Sequence, residues 1–286
     1  MKVKTSRIVF NIFNYALLTV LSLIFIVPYM YVLSASFSDE IAFIKTGFTL
    51  FPKVFSFGAY NYLLTTDDQM IRSIGNSLFL TIAGTFITMM VSMLYAYPLS
   101  KKYLYGNKFF SVFMIFTMLF SGGTIPYYLV VSRFFDDSLW AIIVPGAMAA
   151  YYAILMRNYF LAIPASVEEA AKIDGANDFQ ILFTIYFRLS TPVLATVALF
   201  SAVSYWNNYI GPLLFITTKS KYPIQYLIQQ LLTDSSGIYS AAGDEIVPQQ
   251  TLKYAAVVFG SLPMLILYPF LQKYYINGMI MGSVKE

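Results

Sequence analysis

Stretches free of Asp, Glu, Lys and Arg run from Ile8 to Ser38, Ser73 to Ser100, Phe109 to Ser132, Ser138 to Met156, Leu189 to Thr218 and Tyr254 to Gln272. Each can hold the roughly 20-residue helix that crosses a hydrocarbon core. The pattern predicts an all-α integral membrane protein with six transmembrane helices, near 10–35, 74–98, 109–131, 139–158, 191–216 and 254–272. They belong to a single transmembrane domain, 1–286, with polar connections at 39–72, 164–192 and 219–253. The basic, then apolar start (MKVKTSRIVF) resembles a signal peptide. Its uncharged run is too long for a signal core, which predicts a retained first span.

The connection Pro164–Pro192 reads as two short helices with a bend between them. Ser166 followed by Glu169 has the spacing of a capping box, which would start the first helix. Gly175 sits where that helix should stop, because glycine enters the left-handed conformation without steric cost. Phe179, Leu182, Phe183 and Tyr186 then recur at 3–4-residue spacing, predicting a second helix with one apolar face. Such a module, tethered to spans at both ends, is a candidate docking handle for a soluble partner. The plainer alternative is that Glu168 and Glu169 cap a solvated helix and Gly175 ends it.

In 219–253, Ile224, Leu227, Ile228, Leu231 and Leu232 predict a short amphipathic helix at the membrane interface. The small, polar Thr233–Glu245 follows as an exposed loop. Helix breakers fall at Ser121–Pro126, Pro145-Gly146 and Gly211-Pro212. Two readings stand for them: close packing through small residues, or broken helices around a moving pathway.

Charge sets the orientation. With the N-terminus inside, the inner segments hold 11 of the 18 Lys and Arg residues, and the longer outer segments hold 7. Basic density therefore puts both termini and Pro164–Pro192 on the cytoplasmic side. Composition narrows the chemistry. Only 11% of residues are charged, and there is neither Cys nor His. That leaves no disulfide, Cys/His metal site, thiol nucleophile or His-based acid–base group. The sequence also lacks a GxxxxGK[ST] phosphate loop.

The central connection resembles the cytoplasmic EAA loop of bacterial ABC-importer permeases, E-A-A-x3-G-x9-I-x-L-P. Glu169-Ala170-Ala171, Gly175 and Ile185 match; Phe187 and Arg188 stand where the pattern has Leu and Pro, and Pro192 matches a second common proline. IPASVEEAAKIDGA resembles the MalG-like carbohydrate permeases. Asn76-Ser77, ILMRNYF, Trp206-Asn207 and Pro212-Leu213 extend the match. FSGGTIPYYLVV and YPFLQKYYINGMIMGSVK are most similar to the LplC/YtcP-type subgroup, associated with complex oligosaccharides.

The resemblance implies a non-enzymatic subunit of the bacterial cytoplasmic membrane. It would form a pathway with a second permease for a carbohydrate handed over by an extracellular solute-binding protein. Two partner ATPase subunits would bind ATP and Mg, and this chain would carry no cofactor. Glu168, Glu169, Ala170, Ala171, Asp174 and Gly175 would then meet the ATPase. Ser235, Ser236, Gly237 and Tyr239 would touch the binding protein, and the tail Asn277–Glu286 the ATPase interface.

Charge-free spans offer no fixed counter-ion, which favours a neutral solute such as a sugar. Tyr205, Trp206, Asn207 and Asn208 are the residues singled out for lining the pathway; packing is the other reading of them. Three alternatives stay open. A non-sugar solute is one. An ion-coupled secondary transporter would ordinarily carry an intramembrane ionisable group, and a membrane enzyme would need a carboxylate, Ser or Lys constellation. The uncharged runs contain no Asp or Glu.

Overall fold

The computed structural model describes residues 5–47, 49–66, 68–101, 103–233 and 249–283. Besides short helical turns at Gly58–Asn61, Tyr62–Thr66 and Lys219–Lys221, the helices in chain order are α1 (Thr5–Ser36), α2 (Glu40–Thr46), α3 (Gln69–Leu99), α4 (Asn107–Leu119), α5 (Thr124–Ser132), α6 (Trp140–Gly146) and α7 (Ala150–Leu161). They continue with α8 (Ala165–Ile173), α9 (Asp178–Leu189), α10 (Thr191–Trp206), α11 (Ile210–Phe215), α12 (Ile224–Thr233) and α13 (Gln249–Ser283). Among the described residues, three helical stretches are long and apolar enough to cross a bilayer: Phe10–Ser36, Gln69–Leu99 and Gln249–Pro269. Three bent pairs pass the same test when joined: α4 with α5 at 110°, α6 with α7 at 41°, and α9 with α10 at 85°.

The breaks have local causes. Between α4 and α5, Gly123 adopts φ 87°, open to glycine and strained for other residues. Between α6 and α7 the interruption follows Pro145-Gly146, at 147–149. The expected break at Gly211-Pro212 is displaced: the helix stops at Asn207 and restarts at Ile210. Gly211 and Pro212 lie in the first turn of α11, where a proline's missing N–H costs nothing.

The chain divides into two compact units, Met1–Met70 with Ile228–Leu262, and Ile71–Leu227 with Pro263–Glu286. In the first, α1 carries exposed apolar side chains along most of its length, from Ile8 to Met30. A helix of that kind suits hydrocarbon as its solvent. Its C-terminal end is packed through aromatic rings. Tyr31 meets Tyr254 edge-on at 5.5 Å, Phe37 stacks on Phe55 at 5.4 Å, and Tyr60 donates to Ser36 at 2.8 Å.

The carboxylate of Glu40, buried on α2, accepts from the Gln250 and Thr251 amides at 2.9 Å and from Thr251 Oγ1 at 2.8 Å. It thereby supplies acceptors to the otherwise free N–H groups that open α13, and a negative charge there favours the helix dipole. Replacing Glu40 by Ala should cost about 2 kcal/mol of stability, and Gln, retaining one acceptor, clearly less. Thermal unfolding in detergent would read the difference; equal midpoints for the two variants would contradict the capping role.

In the second unit, the Tyr205 ring is wedged among α3, α6 and α10. Its hydroxyl lies 3.1 Å from Thr88 Oγ1 and donates to the Ile143 carbonyl at 3.4 Å. Gly84 and Gly146 provide the room, as a Cβ on either would lie 2.7 and 2.9 Å from Tyr205 atoms. Elsewhere, Asp137, at φ 43°, accepts from the Thr217 and Thr218 amides, Thr218 Oγ1 and Lys221 Nζ. The Lys221 and Thr218 side-chain hydrogen bonds, aided by the backbone ones, hold its carboxyl well below the usual range. Asn76 donates to the Ser220 and Tyr222 carbonyls, and Ser77 Oγ accepts from the Ile224 amide at 2.7 Å. The Asn76-Ser77 pair therefore fixes the chain entering α12.

On α12 the structure amends the expectation of an interfacial helix. Ile224, Leu227, Ile228 and Leu231 are buried within protein, and Leu232 alone of the five is exposed.

Candidate functional site

Pro164–Pro192 folds as α8, a tight turn and α9. The expected capping box at Ser166 and Glu169 is absent. α8 starts two residues earlier, behind Pro164, which has no amide hydrogen to cap, and no side chain caps this end. The box occurs instead on α9, where Asn177 accepts from the Gln180 amide and Gln180 Oε1 accepts from the Asn177 amide, both at 2.9 Å.

The α8 terminus is a Schellman turn. The Ala176 amide donates to the Ala171 carbonyl at 2.9 Å and the Gly175 amide to the Lys172 carbonyl at 3.0 Å, with Gly175 at φ 82°. Ala171 and Ala176 join the same apolar cluster, the hydrophobic contact that accompanies this motif.

The buried face of α9 also differs from the expected one. Ile181, Leu182 and Tyr186 are buried, whereas Phe179 and Phe183 are exposed. Ile181–Tyr186 is wound as a π-helix, whose i→i+5 bonding brings Ile181 and Tyr186 onto one side. The 3–4 spacing assumed an ordinary α-helix. Those residues rest on a floor formed with Met93, Ala96 and Tyr97 of α3, Met156 and Phe160 of α7, and Val193, Leu194 and Val197 of α10.

Of the residues expected to meet a partner, Glu169, Ala170, Asp174 and Gly175 are exposed. Glu168 and Ala171 are turned inward and buried. Two residues missed in the sequence belong to this region. Ile173, at the end of α8, is 87% exposed, an apolar group presented beside Ala170. Its signal was an isoleucine between Lys172 and Asp174, in a segment otherwise read for its charges.

Lys101 is the other. It lies just beyond the C-terminal end of α3, is 6% exposed, and ion-pairs with Glu168. Around the pair, Lys101 Nζ donates to Tyr186 Oη at 2.8 Å, and Tyr186 Oη donates to Glu168 at 3.1 Å. Tyr103 donates to the second Glu168 oxygen at 3.3 Å, and Lys172 lies 2.8 Å from that oxygen. The Lys101 ammonium sits 4.1 Å from the ring centroids of both Tyr97 and Tyr186, within cation–π range. The basic residues flanking the second uncharged run were visible in the sequence; a pairing across 67 positions was not.

Burial works to raise the Glu168 carboxyl's pKa, but hydrogen bonds from Lys101, Lys172 and Tyr186 outweigh it and hold the value at about 2. Burial pulls the Lys101 ammonium down, and Glu168 pulls it back. Glu168 ionisation therefore adds stability that is complete above the ordinary value of about 4.5 and lost as pH falls through about 2. Unfolding midpoints of wild type and Glu168→Gln should differ by a constant amount from pH 5 to 8. They should converge below pH 4; a difference that vanished at pH 6 would contradict this.

Among the other singled-out residues, Tyr205 and Trp206 are buried as packing groups. Asn207 is exposed at the α10–α11 break, and Asn208 Oδ1 accepts from the Gly211 amide at 2.9 Å. Packing is thus the reading that fits Tyr205 and Trp206 here. Ser235, Ser236, Gly237 and Tyr239 lie outside the described residues, as does the end of the tail from 284 on. Among the described residues no cluster of three or more Asp or Glu could hold a metal ion.

Comparison with known proteins gives the same family from three directions. Residues 84–280 match the family model described as binding-protein-dependent transport system inner membrane component. The chain is 41% identical to the polygalacturonan/rhamnogalacturonan transport system permease protein YtcP of Bacillus subtilis (strain 168) over 281 residues, 96% of this chain and 98% of that protein. It is 39% identical to protein LplC of the same organism over 282 residues, 97% and 95% of the two chains. A solved bacterial ABC transporter involved in the import of the acidic polysaccharide alginate superposes with a TM-score of 0.88 at 33% identity, covering 96% of this chain and 99% of that one. With the family model spanning well over half its length, the chain belongs to the binding-protein-dependent transport system inner membrane components.

Proposed function

We propose that the chain is one permease subunit of an ATP-driven importer and that, paired with a second permease, it forms the pathway for an oligosaccharide. An extracellular binding protein delivers the solute, and two ATPase subunits bind ATP and Mg. In this reading the chain crosses the membrane six times with both termini on one side, and the basic residues favour the cytoplasmic side for them and for Pro164–Pro192. The observation that carries this reading is the two-faced α8. Its inner side is anchored on an apolar floor, while Glu169, Ala170, Ile173 and Asp174 stand free on the other.

A small residue and an exposed isoleucine suit a groove on a globular partner, and the flanking carboxylates give the contact direction. Gly175 keeps the exit of α8 narrow. Asn207 and Asn208, at the α10–α11 break, are the polar groups left to line a pathway. Ser235, Ser236, Gly237 and Tyr239 are the residues we propose to meet the binding protein. The sugar assignment rests on the relatives named above, one named for polygalacturonan/rhamnogalacturonan and one for alginate, and the charge-free spans favour a neutral solute.

The test is to purify the chain through a tag and reconstitute what accompanies it. The chain alone should hydrolyse no ATP. The complex should hydrolyse it faster when the binding protein and either neutral or uronate oligosaccharides are added. Turnover by the isolated chain would overturn the division of labour, and stimulation by a non-sugar solute alone would overturn the substrate class.

A further inference from the structure

α8 is nine residues long and ends at a glycine. A helix so short, pressed from outside, pivots on its flanking turns unless something fixes its angle. Its contribution to the apolar floor is chiefly Ala171, and apolar contact with a methyl group is non-directional. Among the described residues, its directional contacts with other elements converge on Glu168 and Lys172. Glu168 meets Lys101, Tyr103 and Tyr186, and Lys172 meets Tyr103 and Asp178.

The far side of this joint is equally fixed. Asn107 Nδ2 donates to the Leu99 and Lys101 carbonyls, each at 2.9 Å, and Arg157 Nε donates to the Leu99 carbonyl at 2.9 Å. The backbone that carries Lys101 is therefore tied to the end of α3 and to α7. A buried ion pair is a poor choice for stability alone, since apolar side chains of similar volume often do as well. What it supplies is a fixed geometry, because both Glu168 oxygens are bonded and the site is shielded from water.

We propose that the Lys101–Glu168 pair is the rigid joint that carries motion of α8 into α3, making both of them positioning residues that set how much transport each ATP yields. This rests on the reading of the exposed face of α8 as the ATPase seat. A partner displacing α8 then moves the end of α3 with it, and α7 through Arg157. Without the pair α8 tilts on its floor, and part of the displacement is lost before it reaches the spans.

The experiment uses the complete transporter in vesicles, with solute uptake and ATP hydrolysis measured together. Glu168→Gln and Lys101→Met should each retain the ATPase subunits and their hydrolysis, while solute moved per ATP falls about tenfold. The double variant Lys101→Glu/Glu168→Lys should recover a substantial part of that ratio. Should the single variants fold poorly, Lys101→Met/Glu168→Met replaces both charges by side chains that fill the space; it should assemble and still show the low ratio. A purely structural role would lower the amount of complex and leave solute per ATP unchanged. An unchanged ratio in the assembled variants overturns the joint. Failure of the wild-type chain to retain any ATPase overturns the seat on α8 instead.

The chain contains no cysteine, so thiols placed at Tyr103 and Lys172 would be its first. Relative to the same two-thiol chain left unbridged, a short cross-linker should not lower uptake, because the two elements are proposed to move as one. A bridge that stopped uptake would show that they must slide, and would overturn the proposal.

Discussion

Gly175→Asp is expected to reduce solute uptake by at least about tenfold while the protein still accumulates in the membrane. The position permits this separation. A Cβ on Gly175 would meet nothing within 4 Å, so no packing is disturbed. The backbone sits at φ 82°, where a side chain costs roughly 1–2 kcal/mol and Asn or Asp is tolerated best. The added carboxylate would stand at the C-terminal end of α8, against the dipole and beside the proposed ATPase seat. Gly175→Asn, of similar shape and without charge, separates the two contributions and should retain more uptake. Glu169→Lys, exposed on the same face, should resemble Gly175→Asp. Uptake and membrane abundance measured on the same cells decide the matter; normal uptake in both charged variants would remove the docking role.

Gly84→Ala is expected to destabilise the protein by about 1–3 kcal/mol, far more than the same change at Gly75, where a Cβ meets nothing within 4 Å. At Gly84 the new methyl would lie 2.7–2.8 Å from three ring atoms of Tyr205. The ring cannot simply swing aside, because its hydroxyl is held near Thr88 and the Ile143 carbonyl and Gly146 closes the other side. Gly84→Ala/Tyr205→Leu should recover much of the loss by shortening the obstructing group, although Tyr205→Leu alone leaves a void and is itself unfavourable. Thermal unfolding of the four proteins in one detergent forms a double-mutant cycle. Additive effects would mean that Gly84 and Tyr205 do not oppose each other as described.

The chain was legible wherever a single local force dominates. Charge-free runs about as long as a bilayer is thick marked the apolar helical segments, and glycine at 175 marked the end of α8 because few other residues fit there. The reading failed where the outcome depended on contacts across the fold. Ser166 and Glu169 have capping-box spacing, yet Pro164 set the start of the helix. Phe179 and Phe183 match α-helical periodicity, yet π-winding turned Ile181 inward in their place. Glu168 looked like its neighbour Glu169, and only the arrival of Lys101 from the end of α3 separates an internal anchor from a surface charge. No single-sequence pattern encodes that pairing, since it arises from the relative placement of two distant helices. Tyr205 was noticed for its ring and hydroxyl; the two glycines that make room for it lie 121 and 59 positions upstream.

The π-helical winding of Ile181–Tyr186 also says something about tolerance to changes in chain length. A widened turn accommodates one residue beyond what an α-helix would use between the same endpoints. Loss of a residue there is absorbed by tightening the coil, leaving Tyr186 in phase with Lys101 and Asn177 undisturbed. The same deletion within α8 would rotate Glu168 relative to Ala171 and Gly175 with nothing to compensate. Shortening is therefore cheap in one half of this hairpin and ruinous in the other.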